Sequence, residues 1–187
     1  MRLFIAFPLS ADVKKELASS IEQLSRSMTG VKWVSEENLH LTIRFLGECE
    51  SGEVPKIQRL LRDISSAYKP IRGKLGAKLG AFPTISRPRV IWAAVFADPQ
   101  ITSSITNDIE DGVQELGFPP ESKKWTPHIT VGRVKEGVRV EKEPIEQVQL
   151  KKADVLLDTI VLFESRLNPS GPTYHIVSQH PLETDRF

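Results

Sequence analysis

The sequence has a single cysteine, Cys49, among 187 residues. That excludes an internal disulfide and any metal site built on several thiolates. An intracellular, cytoplasmic setting is the plain expectation. Long apolar runs are also missing. The longest, Val90 to Ala97, falls far short of the ~18 residues of a membrane helix. Leu3–Leu9 holds Pro8 and runs straight into Asp12–Lys15, so it reads as a first strand rather than a signal-peptide core. Excess charge is lacking too. The chain carries 25 Lys and Arg against 24 Asp and Glu, a net charge of +1. That is too balanced for wrapping long nucleic acid, yet it permits a short anion held by a few local cations. Nucleotide-triphosphate motifs are absent. Gly47 and Gly52 have P-loop spacing, but Glu53 and Val54 follow where Lys and Ser/Thr are required. Phosphoryl chemistry here would not consume ATP.

What is present is a globular pattern, with 40% hydrophobic and 26% charged residues. Val13, Leu17, Ile21 and Leu24 form the stripe of an amphipathic helix over 11–28, with Ser10 as cap and Gly30 beyond its end. Ile57, Leu60, Leu61 and Ile64 mark a second helix over 53–68. Ile101, Ile105, Ile109, Val113 and Leu116 mark a third over 99–116. Strands are expected at 3–7, 31–34, 39–46, within 71–97, within 125–134, at 145–150 and at 155–165. A turn at Asn168–Pro172 leads to a last strand at 174–178.

A shift of 88 positions superposes strand, helix and strand in the same order, about 2–47 on 90–135. It also lays His40-Leu41-Thr42-Ile43 on His128-Ile129-Thr130-Val131. Two copies are too few for a solenoid. They imply two similar β-α-β lobes within one domain spanning 1–187. Side chains alternate along a strand, so His40 shares a face with Thr42, and His128 with Thr130. By the same rule Ile43, Phe45, Ile129 and Val131 point the opposite way, into a core. A lone His-x-Thr would be two polar residues on a wetted face. Two copies at equivalent places point to a site.

Facing imidazoles suit displacement at a phosphodiester. One ring takes a proton from the nucleophile and the other gives one to the leaving oxygen, near neutral pH. Threonine hydroxyls can donate to phosphate oxygens, and Arg133 can add charge. Strict alternation puts Arg133 on the wrong face, which a bulge at Gly132 would correct. His175 and His180 have no accompanying cysteines or acidic cluster to make a metal site, and belong to the C-terminal surface hairpin. Between Ile64 and Ala97 stand Lys69, Arg72, Lys74, Lys78, Arg87 and Arg89 without one acidic residue. Phe82 and Trp92 in that stretch are candidate base-stacking platforms, with a core role as the alternative for Trp92.

The paired motifs resemble those of the two-histidine phosphoesterases. The flanks are most similar to the RNA 2′,3′-cyclic phosphodiesterase branch, historically called 2′-5′ RNA ligases. They are Arg2–Phe7, Glu37–Glu48, Arg87–Trp92, Pro127–Val134 and Glu164–Gly171. The resemblance implies an α+β fold of two pseudo-symmetric lobes, each an antiparallel sheet with outer helices, around a central cleft. It implies opening of a terminal RNA 2′,3′-cyclic phosphate to a 2′-phosphate, and in reverse ATP-independent 2′-5′ joining. His40 would be the proton donor and His128 the proton acceptor. Thr42, Thr130 and Arg133 would hold the phosphate. Ile43, Val131, Phe82, Arg89 and Trp92 complete the expected substrate-contacting set. The partner implied is an RNA 3′ end bearing a cyclic phosphate, or a nucleotide. No cofactor, metal, membrane or obligatory protein partner is implied. A nucleotide- or RNA-end-binding module without turnover, and a phosphodiesterase for 2′-5′ oligoadenylates or small cyclic nucleotides, are the alternative readings.

Overall fold

The computed structural model describes residues 1–169 and 171–183. Ser170, within the expected Asn168–Pro172 turn, lies outside the described residues. The strands are β1 (Arg2–Pro8), β2 (Val31–Trp33), β3 (His40–Glu48), β4 (Ile71–Thr84), β5 (Arg87–Ala97), β6 (His128–Val134), β7 (Asp154–Leu157), β8 (Thr159–Asn168) and β9 (Gly171–Pro181). The helices are α1 (Ala11–Ser25), α2 (Val54–Ala67), α3 (Pro99–Glu115) and the short α4 (Glu143–Gln147). Every strand pairing is antiparallel. One sheet runs β3-β1-β8-β9 and the other β2-β6-β5-β4-β7. The fold is therefore α+β, with two pseudo-symmetric lobes around a central cleft.

Local chemistry explains the helices. The Ser10 hydroxyl accepts from the Val13 amide, and Val13, Leu17 and Leu24 are buried. The Asp98 carboxylate accepts from the amides of Gln100 and Ile101 at 2.9 and 3.1 Å. Pro99 fits the first turn of α3, where an amide hydrogen has no helical partner. Ile105, Ile109 and Val113 are fully buried, whereas Ile101 stays exposed at the helix start. α1 ends at Ser25, earlier than the 28 expected. Gly30, with φ of +78°, instead turns the chain into β2.

One expected strand does not form. Residues 145–150 begin inside α4, where Pro144 sits in the first turn beside Glu143. Proline is pre-set for a helix start. Ile145, Val148 and Leu150 are all buried, so they meet the core without joining a sheet. The C-terminal histidines also separate. Both lie on β9, but His180 is buried against the Ser178 hydroxyl, 2.9 Å away, rather than on the surface.

Equivalent elements begin 88 positions apart: α1 at Ala11 and α3 at Pro99, β3 at His40 and β6 at His128, β4 at Ile71 and β8 at Thr159. We propose that 1–187 is one domain whose second half repeats the first. The halves are interleaved, because β8 and β9 complete the sheet of β1 and β3, while β2 and β4 join β5 and β6. Among the described residues no helix is long and apolar enough to cross a membrane.

A buried ion pair fastens α3 to the sheet it covers. Arg44 on β3 is 8% exposed, and its Nε donates to Glu110 on α3 at 2.5 Å. Its other nitrogens donate to the carbonyls of Phe45 and Pro119. Removing one partner of such a pair leaves the other charge buried and unpaired, typically at a cost of about 3–5 kcal/mol. Arg44→Ala should therefore lower unfolding stability by that order in urea denaturation. A change below ~1 kcal/mol, the range of surface pairs, would show that the pair is not a structural brace.

Candidate active site

Both histidine strands are bulged at the same place. On β3, Thr42 pairs with Ala6 and Arg44 with Ile5, leaving Ile43 as the extra residue. On β6, Thr130 pairs with Trp92 and Gly132 with Ile91, leaving Val131 extra. An extra residue reverses the alternation beyond it. Residue five beyond each histidine thus joins the face of His and Thr. On β6 that residue is Arg133, placed in the cleft as a bulge requires. On β3 it is Phe45, which is 55% exposed rather than buried in the core as strict alternation predicts.

The two imidazoles are held alike. Nδ1 of His40 lies 2.7 Å from the carbonyl of Asn38, and Nδ1 of His128 lies 2.7 Å from that of Thr126. A carbonyl oxygen only accepts, so each Nδ1 carries the hydrogen. Among the described residues Nε2 is left as the free nitrogen of each ring, able to take or give a proton. Aromatic rings fix the imidazole planes. His40 lies 4.9 Å from Phe4 and 5.3 Å from Tyr174, and His128 lies 5.2 Å from Phe82.

Two cavities meet at these strands. The larger, about 740 Å³, includes His128, Phe82, Arg89 and Trp125 in its wall. The smaller, about 450 Å³, includes His40, Phe4, Tyr174 and Arg2. Thr42, Phe45, Thr130 and Arg133 line both, forming a polar waist between them.

A family model for LigT-like phosphoesterases matches residues 7–92 and 97–174. The chain belongs to that family. It is 34% identical over 182 residues to a Methanocaldococcus jannaschii protein named RNA 2′,3′-cyclic phosphodiesterase, covering 96% of this chain and 99% of that one. A Thermotoga maritima protein of the same name is 32% identical over 187 residues, covering 98% and 96%. Among solved structures, one from Thermus thermophilus superposes with a TM-score of 0.81 at 27% identity over the whole of both chains. Escherichia coli LigT complexed with 3′-AMP shares the fold, with a TM-score of 0.75 at 21% identity and 98% of each chain covered.

In this LigT-like phosphoesterase the sequence-expected residues divide into two groups. His40, Thr42, His128, Thr130, Arg133, Phe82 and Arg89 come together on the cleft walls. Ile43 is buried at the edge of the larger cavity. Val131 is fully buried and lines neither cavity, because it follows Thr130 on the opposite face of β6, toward the core. Trp92 lines neither as well. It stacks on Phe82 at 4.9 Å and lies 6.2 Å from His128, with its buried indole nitrogen unpartnered among the described residues. A Cβ at Gly80 would stand 2.5 Å from this ring, so the glycine makes room for it. The basic run does not form one patch. Arg89 reaches the cleft, but Lys74 pairs with Asp154 beside a separate cavity that Arg72 also lines.

Sequence reasoning missed Phe45, Tyr174 and Trp125. The indole nitrogen of Trp125 donates to the Thr42 carbonyl at 2.9 Å, joining the two motifs across the lobes. Only Phe45 left a signal, through its 88-position equivalence with Arg133.

Burial, above all, pushes the His40 pKa down to about 4, and the positive charges of Lys14, Arg133 and His128 add to that. The Asn38 carbonyl works against it. His40 is therefore neutral at pH 7 in the free protein. Imidazole proton resonances should show His40 titrating near pH 4, with an upward shift when inorganic phosphate is added. Titration of His40 near pH 6.5 would show that the ring is not desolvated.

Proposed function

We propose that this chain opens the terminal 2′,3′-cyclic phosphate of RNA, leaving a 2′-phosphate. The observation that carries the reading is the matched pair of histidines, each pinned through Nδ1 to the carbonyl two residues back and each followed by a cleft-facing threonine. Relatives of nearly equal length named for this activity support it.

Nε2 of His128 takes a proton from water as the water oxygen attacks phosphorus. The bond from phosphorus to O3′ breaks, and the Nε2 proton of His40 passes to O3′. The hydroxyls of Thr42 and Thr130 donate to the non-bridging oxygens, and the Arg133 guanidinium offsets their charge. His40 begins neutral in the free protein, so it needs a proton before it can act as the acid. An anionic phosphate beside it favours the charged ring, which makes the substrate the agent that loads the proton.

A second reading rests on the two-compartment cleft. Hydrolysis of a cyclic phosphate needs room for one nucleoside and one water. Aromatic walls on both sides of the waist, with Phe4 and Tyr174 in one compartment and Phe82 and Trp125 in the other, suit a nucleoside on each side of a linear 2′-5′ bond. Joining of ends in reverse, and cleavage of 2′-5′ oligoadenylates, use this same arrangement.

One substrate panel with mass-spectrometric product analysis tests both readings. The protein should open cyclic phosphates in EDTA and leave the phosphate on O2′. His40→Ala and His128→Ala should each lower kcat by roughly 10²–10⁴, the usual worth of a positioned acid or base. Near wild-type rates in either variant, or loss of activity in EDTA, would overturn the mechanism. Binding of a 2′-phosphorylated nucleotide without any turnover would instead favour a binding module.

A further inference from the structure

Between α3 and β6 the chain crosses from Pro119 to Trp125 without regular secondary structure, yet it is fastened at three points. The Arg44 guanidinium donates to the Pro119 carbonyl. The Glu121 amide donates to Glu110 Oε1 at 2.8 Å. The Trp125 indole donates to the Thr42 carbonyl at 2.9 Å. The first and third ties come from β3, in the sheet opposite the one that β6 joins. Between the second and third lie Ser122, Lys123 and Lys124, all exposed and all lining the larger cavity. Neither lysine has a hydrogen bond or ion pair among the described residues.

Charge in this cavity departs from that of the chain. Its wall holds five cationic side chains, Arg44, Arg89, Lys123, Lys124 and Arg133, against two carboxylates. Both carboxylates, Glu110 and Glu121, face Arg44. The wall therefore carries a surplus of three positive charges, in a protein whose net charge is only +1. Arg44 lies in the wall as a structural brace, whereas the lysines have no structural task. A solvated lysine needs no fastened loop. Anchoring this segment to β3 and α3 holds two free ammonium groups over the same cavity as His128, Thr130 and Arg133.

We propose that Lys123 and Lys124 grip the backbone phosphate of the RNA one step upstream of the scissile cyclic phosphate. The enzyme then recognises an RNA chain as well as its end. This rests on the cyclic phosphodiesterase reading above. An RNA 3′ end continues from the terminal ribose to one phosphodiester after another. A mononucleoside 2′,3′-cyclic phosphate has no such group, and a dinucleotide ending in one has a single upstream phosphate. Flexible ammonium groups suit a backbone contact that carries charge and no sequence information.

The test compares those two substrates in the wild type and in the double variant Lys123→Gln, Lys124→Gln. The variant should lose about tenfold in kcat/KM on the dinucleotide, chiefly through KM, and less than about twofold on the mononucleoside. The salt dependence of log kcat/KM on the dinucleotide should become shallower by about 0.7, the value for one single-strand phosphate contact released. The Lys123→Arg, Lys124→Arg variant keeps both charges and should retain the dinucleotide preference, which separates charge from loop folding. An equal fall on both substrates, or none on the dinucleotide, would overturn the grip. If the wild type opens neither substrate, the activity reading fails. The same ratio, read calorimetrically as binding of a 2′-phosphorylated dinucleotide against a 2′-phosphorylated mononucleotide, then decides the grip alone. A preference lost in the double Gln variant supports it, and one unchanged or absent overturns it.

Discussion

Everything in the cleft depends on neither sheet being complete within one half of the chain. β1 and β3 find their remaining neighbours in β8 and β9, more than a hundred residues away, while β4 leaves the first half to pair with β5. A sheet edge left without its partner exposes a row of unpaired amides and carbonyls. Each lobe therefore needs the other half of the chain to fold. The cleft is thus the seam of an interleaved structure rather than a gap between two independent domains. β3 and β6 touch across that seam, and the Trp125–Thr42 bond crosses it. Two histidines on two sheets are held in one geometry without a shared strand.

Matched bulges then convert symmetry into difference. Without the extra residues at Ile43 and Val131, the cleft faces would carry His and Thr from each lobe, followed by Arg44 and Gly132. With them, β3 presents Phe45 and β6 presents Arg133. One lobe contributes an apolar ring at the waist and the other a fixed positive charge. The freed position Arg44 turns instead to the α3 side and becomes the brace. At the same offset, Gly132 lies under Trp33, where a Cβ would come within 2.7 Å of the ring. A two-fold arrangement offers the same chemistry from both sides. The differences at these equivalent positions make the two sides of the waist unlike.

The order of strands and helices is legible because the apolar spacing is regular and the stripes are unbroken, as with Ile105, Ile109 and Val113. The histidine pair is legible because a repeat exposes what a single motif cannot. Bulges are harder to see. The pattern His-x-Thr-x-x-Phe reads as ordinary alternation until a hydrogen-bonding register is known, and that reading sends Phe45 to the core. Residues 145–150 mislead for a related reason: three buried apolar side chains just after a proline suit a helical turn and the irregular chain beyond it as well as a strand. The cross-lobe contacts have no signature at all. Nothing around Trp125 or Thr42 distinguishes an indole that bonds a carbonyl 83 positions away from one that packs in a core.

Charge and burial at the waist act together. The positive field that draws an anion into the cleft also opposes protonation of His40, and so does the aromatic nest of Phe4, Phe163 and Tyr174 around that ring. An empty cleft thus holds its imidazole neutral. In the proposed mechanism a phosphate at Arg133 cancels part of the field and supplies a negative neighbour, and both changes favour the imidazolium. Linkage makes this reciprocal: whatever the anion adds to the proton affinity of His40, the proton adds to the affinity for the anion. Ordinary histidine in water would be partly charged at neutral pH whether or not substrate were present. Desolvation removes that standing charge and makes proton uptake conditional on phosphate. Under the proposed mechanism the acid is then armed where and when a phosphodiester lies between the two rings.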